Sequence, residues 1–586
     1  MNPIRYTLSF PAPHTHYVEV RAELPSAGRD RIDLMMAVWT PGSYLIREYA
    51  RHVENIAASG SSGAALPIHK SAKNRWTIAT QGADDVVVTY RVYGREMSVR
   101  TNWIESGFAL INGAPTFLTL TESTARPHEV MLLLPPAWSR SITALPAVAG
   151  APHCYCAATY DVLVDSPILA GNPAVYEFEI DGKVHRLVDE GEAGVFNGAR
   201  ASRDLEAIAL EHHRFWGTIP YESYVCINMI TESSGGLEHA SSAVLMTSRW
   251  ATRTRRAYVG WLELASHEFF HVWNGKRLRP IELGPFDYER ETHTRSLWVV
   301  EGITDYYGDL LLHRAGATTR DELLGSLSDK IDALQTTAGR RVQSLTNASF
   351  DAWIKHYRPD ENSPNTSMSY YIKGAVVAFL LDMKIRRLTR GARSLDHVMR
   401  AAFAKYSGAR GYEQGEFRAL VEAVAGTSLE SFWASALDGT AELDLPEALD
   451  VVGLRFKTPE PLMGRQPGRA TLGAVTRNDN GRLLVTQVRR GTAAYEAGLN
   501  VDDEIVAIDE FRVRADQLDA RMEQYIPGDR VSLLVARRDR LMRLDGRLGT
   551  EPLRAWVLEV DPGASTAQRR LLDLWLTKSG NQADTD

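Results

Sequence analysis

The sequence predicts a multidomain α+β protein: an all-β N-terminal domain, a mostly helical central domain and a compact strand-rich unit near the C-terminus. Three observations predict it. At 586 residues the chain exceeds what one hydrophobic core supports. Short β-rich runs broken by Gly, Pro, Asn and Asp fill residues 1–190, and helical periodicity dominates from about 255 to 440. A Pro- and Gly-rich stretch, 436–470, then separates the helices from a second strand-rich region.

In the first region, "DRIDLMMAVWT", "NRWTIAT", "DDVVVTYRVYG" and "EVMLLLPP" read as strands, and Pro41-Gly42 in "WTPGSYLIREYARHVENI" as a turn. Near 200 the pattern changes. Leu205, Ile208, Leu210 and Phe215 in "SRDLEAIALEHHRFWG" recur at roughly helical spacing, and the strand-like "YVCINMI" follows. Helices are expected over 257–274, 297–314, 320–337, 367–388, 394–406 and 413–425, several with acidic or Ser/Thr starts and Gly stops. The central domain is thus placed at 191–450, a linker at 451–465 and the strand-rich unit at 466–550. A terminal helix ("STAQRRLLDLWLTKSG") and polar tail complete 551–586.

Composition narrows the function. With 44% hydrophobic and 24% charged residues the chain reads as an ordinary globular protein. Its 66 Lys and Arg against 73 Asp and Glu argue against nucleic acid or an anionic membrane as a partner. No run approaches the length of a membrane-spanning helix, and the N-terminus lacks the unbroken apolar core of a secretory signal. A cytoplasmic location is expected. Cys154, Cys156 and Cys226 make neither a disulfide framework nor a structural zinc site, and are read as free thiols.

The stretch "SHEFFHVWNGKRL" (266–278) carries the chemistry. On a helix, His267 and His271 project from one face, where two neutral imidazoles can grip one Zn²⁺. Glu268 sits beside them, placed to take a proton from a water activated by the metal. A bland reading, a buried helix with two satisfied histidines, competes until a third ligand is found. "SLWVVEGITDYYGDLL" supplies Glu301 on the next helix, ahead of Glu282, Glu289, Glu291 and His293 because of its apolar flank. Three protein ligands with one open position make a catalytic rather than a structural zinc site. Asp305, four residues on, faces the same way and could bond the outer nitrogen of a ligand histidine.

These residues resemble the zinc site of the gluzincin metallopeptidases, which have a thermolysin-like catalytic domain. "GGLEH" (235–239), "YYIKG" (370–374) and "PGSYLIRE" (41–48), with a C-terminal PDZ-like unit, resemble the glycyl aminopeptidase family of that clan. The resemblance implies that Glu238 holds the substrate's free α-ammonium, for which a fixed carboxylate is suited. Gly235 and Gly236 would let an extended peptide approach the backbone closely. It implies Tyr371 as donor to the tetrahedral oxyanion, with adjacent Tyr370 not separable from sequence. The 29 residues between His271 and Glu301 (272–300) exceed the spacing of the better-known aminopeptidases of the clan. In the PDZ-like unit, "TLGAV" (471–475) would be a carboxylate-binding loop and "ADQLDARMEQY" a groove helix for a C-terminal peptide ligand.

Three functions follow as expectations. The first is a zinc aminopeptidase acting on peptides, with a preference for Gly or other small residues implied by the resemblance. The second is a zinc endopeptidase using the PDZ-like unit to dock substrate. The third, a peptide-binding scaffold with a vestigial metal site, leaves Glu268 without a purpose.

Overall fold

The computed structural model describes residues 2–122, 125–191, 194–459 and 468–577. Strict alternation in Tyr17–Pro25 buries Val18, Val20, Ala22 and Leu24 and turns Glu19 and Arg21 outward. This strand lies within a seven-stranded sheet, between Ile4–Ser9 and Asp85–Tyr93. A four-stranded sheet containing Arg31–Met35 and Arg75–Ala79 shares its core, where Tyr6, Val20, Leu34, Trp76 and Val88 meet. The buried Tyr6 and Tyr90 hydroxyls donate to the carbonyls of Leu118 (2.8 Å) and Thr116 (2.9 Å), so neither polar group is stranded.

The hairpin Ala174–Ile180 and Lys183–Gly191, assigned from sequence to the N-terminal domain, belongs to the next one. Lys183–Gly191 pairs in parallel with Ser223–Thr231, which pairs in parallel with Ser242–Ser248. The N-terminal domain therefore ends near residue 172, not 190. Strand partners are set by tertiary contacts, so a β-rich run alone does not say which sheet it joins. The short strand Gly235–Glu238 closes this five-stranded sheet as an antiparallel edge.

Against the sheet pack Gly198–Trp216 and Arg255–Phe270, followed by Ile303–Arg314, Arg320–Thr336, Tyr370–Leu388, Leu395–Tyr406 and Gln414–Ala425. Each is close to a range expected from periodicity. The helix crossing at Gly302 and Gly374 is so close that a Cβ on Gly302 would lie 2.5 Å from the Gly374 Cα.

The C-terminal organisation also differs from expectation. Leu454–Phe456, within the expected linker, pairs with Leu558–Val560. The helix Thr566–Leu576 then returns to the central domain and buries Trp575, whose Nε1 donates to the Tyr306 hydroxyl (2.7 Å). Residues from about 553 to 576 thus complete the helical domain, and the strand-rich unit is an insertion between two strands of a ladder. A second pair, Ala470–Thr471 with Gly549–Thr550, closes the neck of the insertion. Inside, Ala474–Asp479 forms the edge of a sheet that continues through Arg482–Val488, Glu504–Ile508, Arg530–Arg537 and Arg540–Arg547. Leu483, Val485, Ile505, Leu533 and Val535 make its own core. The expected groove helix over 515–525 is one short turn, Leu518–Met522. Residues 460–467 of the linker and neck, and the tail from 578, lie outside the described residues.

Candidate metal centre and substrate pocket

Thr254 caps the histidine-bearing helix by accepting from the Ala257 amide. Trp261, Leu262, Ala265 and Phe269 bury it in the domain core. The helix ends at Phe270, four residues before the expected end, so His271 is its C-cap. The chain turns at once, and the Nδ1 of His271 donates to the Asn274 carbonyl (2.8 Å). That bond leaves Nε2 as the bare lone pair. The Asn274 amide donates in turn to the carbonyls of Val299 (2.8 Å) and Val300 (3.2 Å) and to Thr304 Oγ1 (3.0 Å), tying this turn to the segment that carries Glu301.

Glu301 lies in a π-helical turn, Trp298–Gly302, that opens the helix Ile303–Arg314. Such turns re-aim a side chain within a helix. Here Glu301 Oε2 comes within 3.1 Å of His271 Nε2 and 3.6 Å of His267 Nε2, and the two Nε2 atoms are 3.1 Å apart. A tetrahedral zinc with bonds of about 2.0–2.1 Å holds its ligands about 3.3 Å from one another. Three acceptors converging at that spacing, with His271 and Glu301 almost wholly buried, fit a divalent cation. Burial alone would raise the Glu301 carboxyl. In the metal-free site the facing imidazoles take up protons, and their charge outweighs burial and holds it at about 2, whereas a cation would replace those protons on the same lone pairs. The competing ligands are engaged elsewhere: Glu289 pairs with Arg75, Glu291 with His293, and Glu282 accepts from Thr294.

Asp305 Oδ1 stands 3.7 Å from His267 Nδ1 on the side away from Glu301, and Asp305 is itself held by Lys330 (3.6 Å). Lys330 also pairs with Asp309 (2.6 Å). The long spacing between His271 and Glu301 has a structural cause. The intervening chain runs to the N-terminal domain, where Tyr288 enters the β core and its carbonyl accepts from the Val38 amide (2.9 Å). The Asp287 carbonyl accepts from Trp39 Nε1 (2.8 Å), and Glu289 meets Arg75.

A cavity of about 370 Å³ opens over His267, His271 and Glu301. Glu268 and Glu238 are buried in its wall, and one oxygen of each lies within 4.8 Å of the other and of a His271 nitrogen. Burial first, then the charges of Glu238 and Glu301, push the Glu268 carboxyl up to about 7 against the pull of the two histidines. A Cβ on Gly236 would fall 2.0 Å from Glu268 Oε1, so only glycine fits there. Gly235, beside it, is in open space with φ +147°. From the N-terminal domain, Gly42 (φ +86°) lies against the Glu238 carboxylate, 2.5 Å from where its Cβ would be. Tyr371 lines the cavity with its ring stacked over His267, centroids 6.1 Å apart, whereas Tyr370 is fully buried and does not line it.

Of the residues singled out from the sequence for this site, Gly236, Glu238, His267, Glu268, His271, Glu301, Asp305 and Tyr371 line one cavity, whereas Gly235 and Tyr370 do not. Sequence reasoning missed Asn274, Lys330 and Arg100, and took Gly42 only as a turn. The "PGSYLIRE" resemblance was the one signal pointing toward Gly42, and nothing in the sequence marks Arg100.

Residues 5–172 match the Peptidase M61 N-terminal domain, and residues 260–377 match the M61 glycyl aminopeptidase. No curated protein matches the chain. Among solved structures, an aminopeptidase N family protein from Idiomarina loihiensis is 31% identical over 98% of this chain and 100% of its own, with a TM-score of 0.91. More distant likenesses include an M1 zinc metallopeptidase from Deinococcus radiodurans (13% identity, 76% of this chain and 96% of that one, TM-score 0.49). Another is aminopeptidase A from Legionella pneumophila (14%, 74% and 48%, TM-score 0.47). The full-length match at 31% identity, with both M61 matches falling in the right order along the fold, carries the conclusion that this chain belongs to the M61 glycyl aminopeptidase family of metallopeptidases.

Proposed function

We propose that the chain is a zinc-dependent aminopeptidase that removes N-terminal glycine or another small residue from peptides. The observation that carries this reading is the buried Glu238 carboxylate beside Glu268 and the His267–His271–Glu301 cluster. A carboxylate fixed there accepts charge-assisted hydrogen bonds from a free α-ammonium, and so sets the distance from the substrate's first residue to the reacting centre.

His267, His271 and Glu301 would hold one zinc, which when bound supplies a Lewis acid that polarises the scissile carbonyl and acidifies water. Glu268 takes the proton of the attacking water and returns it to the departing amine. A carboxylate buried beside the metal ligands is placed for both transfers. Tyr371 donates its hydroxyl proton to the oxygen that becomes negative in the tetrahedral state. The edge strand Gly235–Glu238 offers its backbone to an extended peptide. Asp305 keeps the outer proton on His267 and thus its lone pair toward the cluster.

The inserted unit is read as a PDZ-like docking module, because its strand Ala474–Asp479 is an open sheet edge next to the Gly473 turn (φ +72°). A C-terminal peptide adding to that edge is its proposed ligand. No helix among the described residues is long and apolar enough to cross a membrane, and a cytoplasmic location is part of this proposal.

The test is hydrolysis of Gly, Ala, Leu and Arg amides, each free and N-acetylated. Cleavage confined to free Gly and Ala amides is expected. Equal cleavage of the acetylated forms would remove Glu238 from its role and favour an endopeptidase.

A further inference from the structure

Arg100 comes from the N-terminal domain yet lines the same cavity as Glu238 and His267. Its backbone is pinned at both polar atoms. Its amide donates to Ser98 Oγ (3.1 Å), and its carbonyl accepts from the Tyr49 hydroxyl (3.0 Å). The next residue is fixed as well, with Thr101 Oγ1 donating to the Glu96 carbonyl (2.7 Å) and the Thr101 carbonyl accepting from Asn112 Nδ2 (2.6 Å).

The side chain on this rigid mount is unpaired. Among the described residues its guanidinium meets no carboxylate within ion-pair distance, and its Nε is buried without a hydrogen-bond partner. Among the described residues Arg47, near it, also lacks a carboxylate partner; its Nη2 donates to Ser43 Oγ (2.8 Å) and its Nε is buried without a hydrogen-bond partner. Burial lowers the Arg47 pKa, Tyr49 raises it, and the positive charge of Arg100 lowers it again. The other cationic side chain lining the cavity, Lys330, is neutralised by Asp309 and Asp305. The cavity therefore holds carboxylates that a cation satisfies and one fixed guanidinium that an anion would satisfy.

We propose that Arg100 binds the free C-terminal carboxylate of a short peptide, so that the preferred substrates are di- and tripeptides with both termini free. The proposal rests on the aminopeptidase reading, with Glu238 taking one end of the substrate and Arg100 the other. A planar guanidinium matches a carboxylate with two parallel hydrogen bonds. The cavity, about 370 Å³, is at the lower end of ligand-site sizes and suits a molecule of a few residues.

The experiment compares kcat/KM for Gly-Ala and Gly-Ala-Ala with that for their C-terminal amides, in the native chain and in Arg100→Met and Arg100→Lys. The native chain is expected to favour the free acids by about 10- to 100-fold, Arg100→Met to bring that ratio near one, and Arg100→Lys to keep part of it. The ratio is read within each variant, so damage to folding that lowers both rates leaves it unchanged. Calorimetric binding of Gly-Ala and its amide to the Glu268→Gln chain reads the same preference without turnover, which separates failure of this proposal from failure of the aminopeptidase reading. Equal use of acids and amides by the native chain, or a ratio unchanged in Arg100→Met, would overturn it. So would an Arg100-dependent preference for Gly-Glu amide over Gly-Ala amide, which would assign the guanidinium to an acidic side chain.

Discussion

The Asn274 carbonyl takes the Nδ1 proton of His271 at 2.8 Å, while the side chain of the same asparagine is bonded to the turn that presents Glu301. One residue thus orients one proposed zinc ligand, His271, and locks the element bearing another, Glu301. Asn274→Ala is expected to weaken zinc binding by about 10- to 100-fold, the usual cost of losing such support. Chelator competition measures it; unchanged affinity would show that the helix ends hold the site unaided.

Gly236 leaves Glu268 no room to share. Gly236→Ala places a methyl 2.0 Å from Glu268 Oε1 and must displace the carboxylate. A loss in kcat of about 10²–10⁴-fold is expected, the range of a general base, with zinc content preserved. Loss of zinc along with activity would point to collapse of the site instead.

Asp165 joins the domains from the end of a short N-terminal-domain helix. It accepts from Lys276 (2.6 Å) and the Ala240 amide (2.8 Å), and lies 3.1 Å from His239 Nδ1. Burial opposes its ionisation, but Lys276 and His239 outweigh burial and hold the carboxyl at about 2, below the ordinary 3.8. Because the folded value is depressed, the stabilisation is full above the unfolded value and is lost as pH falls from about 4 toward 2. The stability gap between the native chain and Asp165→Asn, about 2 kcal/mol from this shift, should therefore close over that window in thermal melts. A gap constant from pH 6 to pH 2 would contradict the assignment.

Trp575 anchors the C-terminal helix. Its indole meets Tyr306, and its carbonyl accepts from Arg314, which pairs with the buried Asp396 (2.9 Å). Trp575→Ala should cost about 3–5 kcal/mol in urea unfolding, as for other large buried aromatics. A loss below about 1 kcal/mol, the scale of an ordinary surface change, would mean that the returning helix is an accessory.

Helices were legible because their burial follows a local period, and His267, Glu268 and His271 were legible because metal chemistry fixes their spacing on such a helix. Glu301 could be chosen from its apolar neighbours, but not the π-turn that aims it, since that turn arises where Gly302 packs on Gly374. The hairpin 174–191 carried no mark of its sheet, and the inserted unit hid the pairing of Leu454–Phe456 with Leu558–Val560 across a hundred residues of chain. Arg100 was silent for the same reason. One arginine in a loop declares itself only when the fold places it unpaired in a pocket.

The most direct measurement is stepwise addition of zinc to the metal-free chain, followed by Gly p-nitroanilide hydrolysis, beside Glu301→Ala. The account predicts activity that rises linearly and saturates at one zinc per chain, with the variant inactive at the same loading. Hydrolysis by the fully chelated protein, or saturation at one zinc in Glu301→Ala, would contradict it.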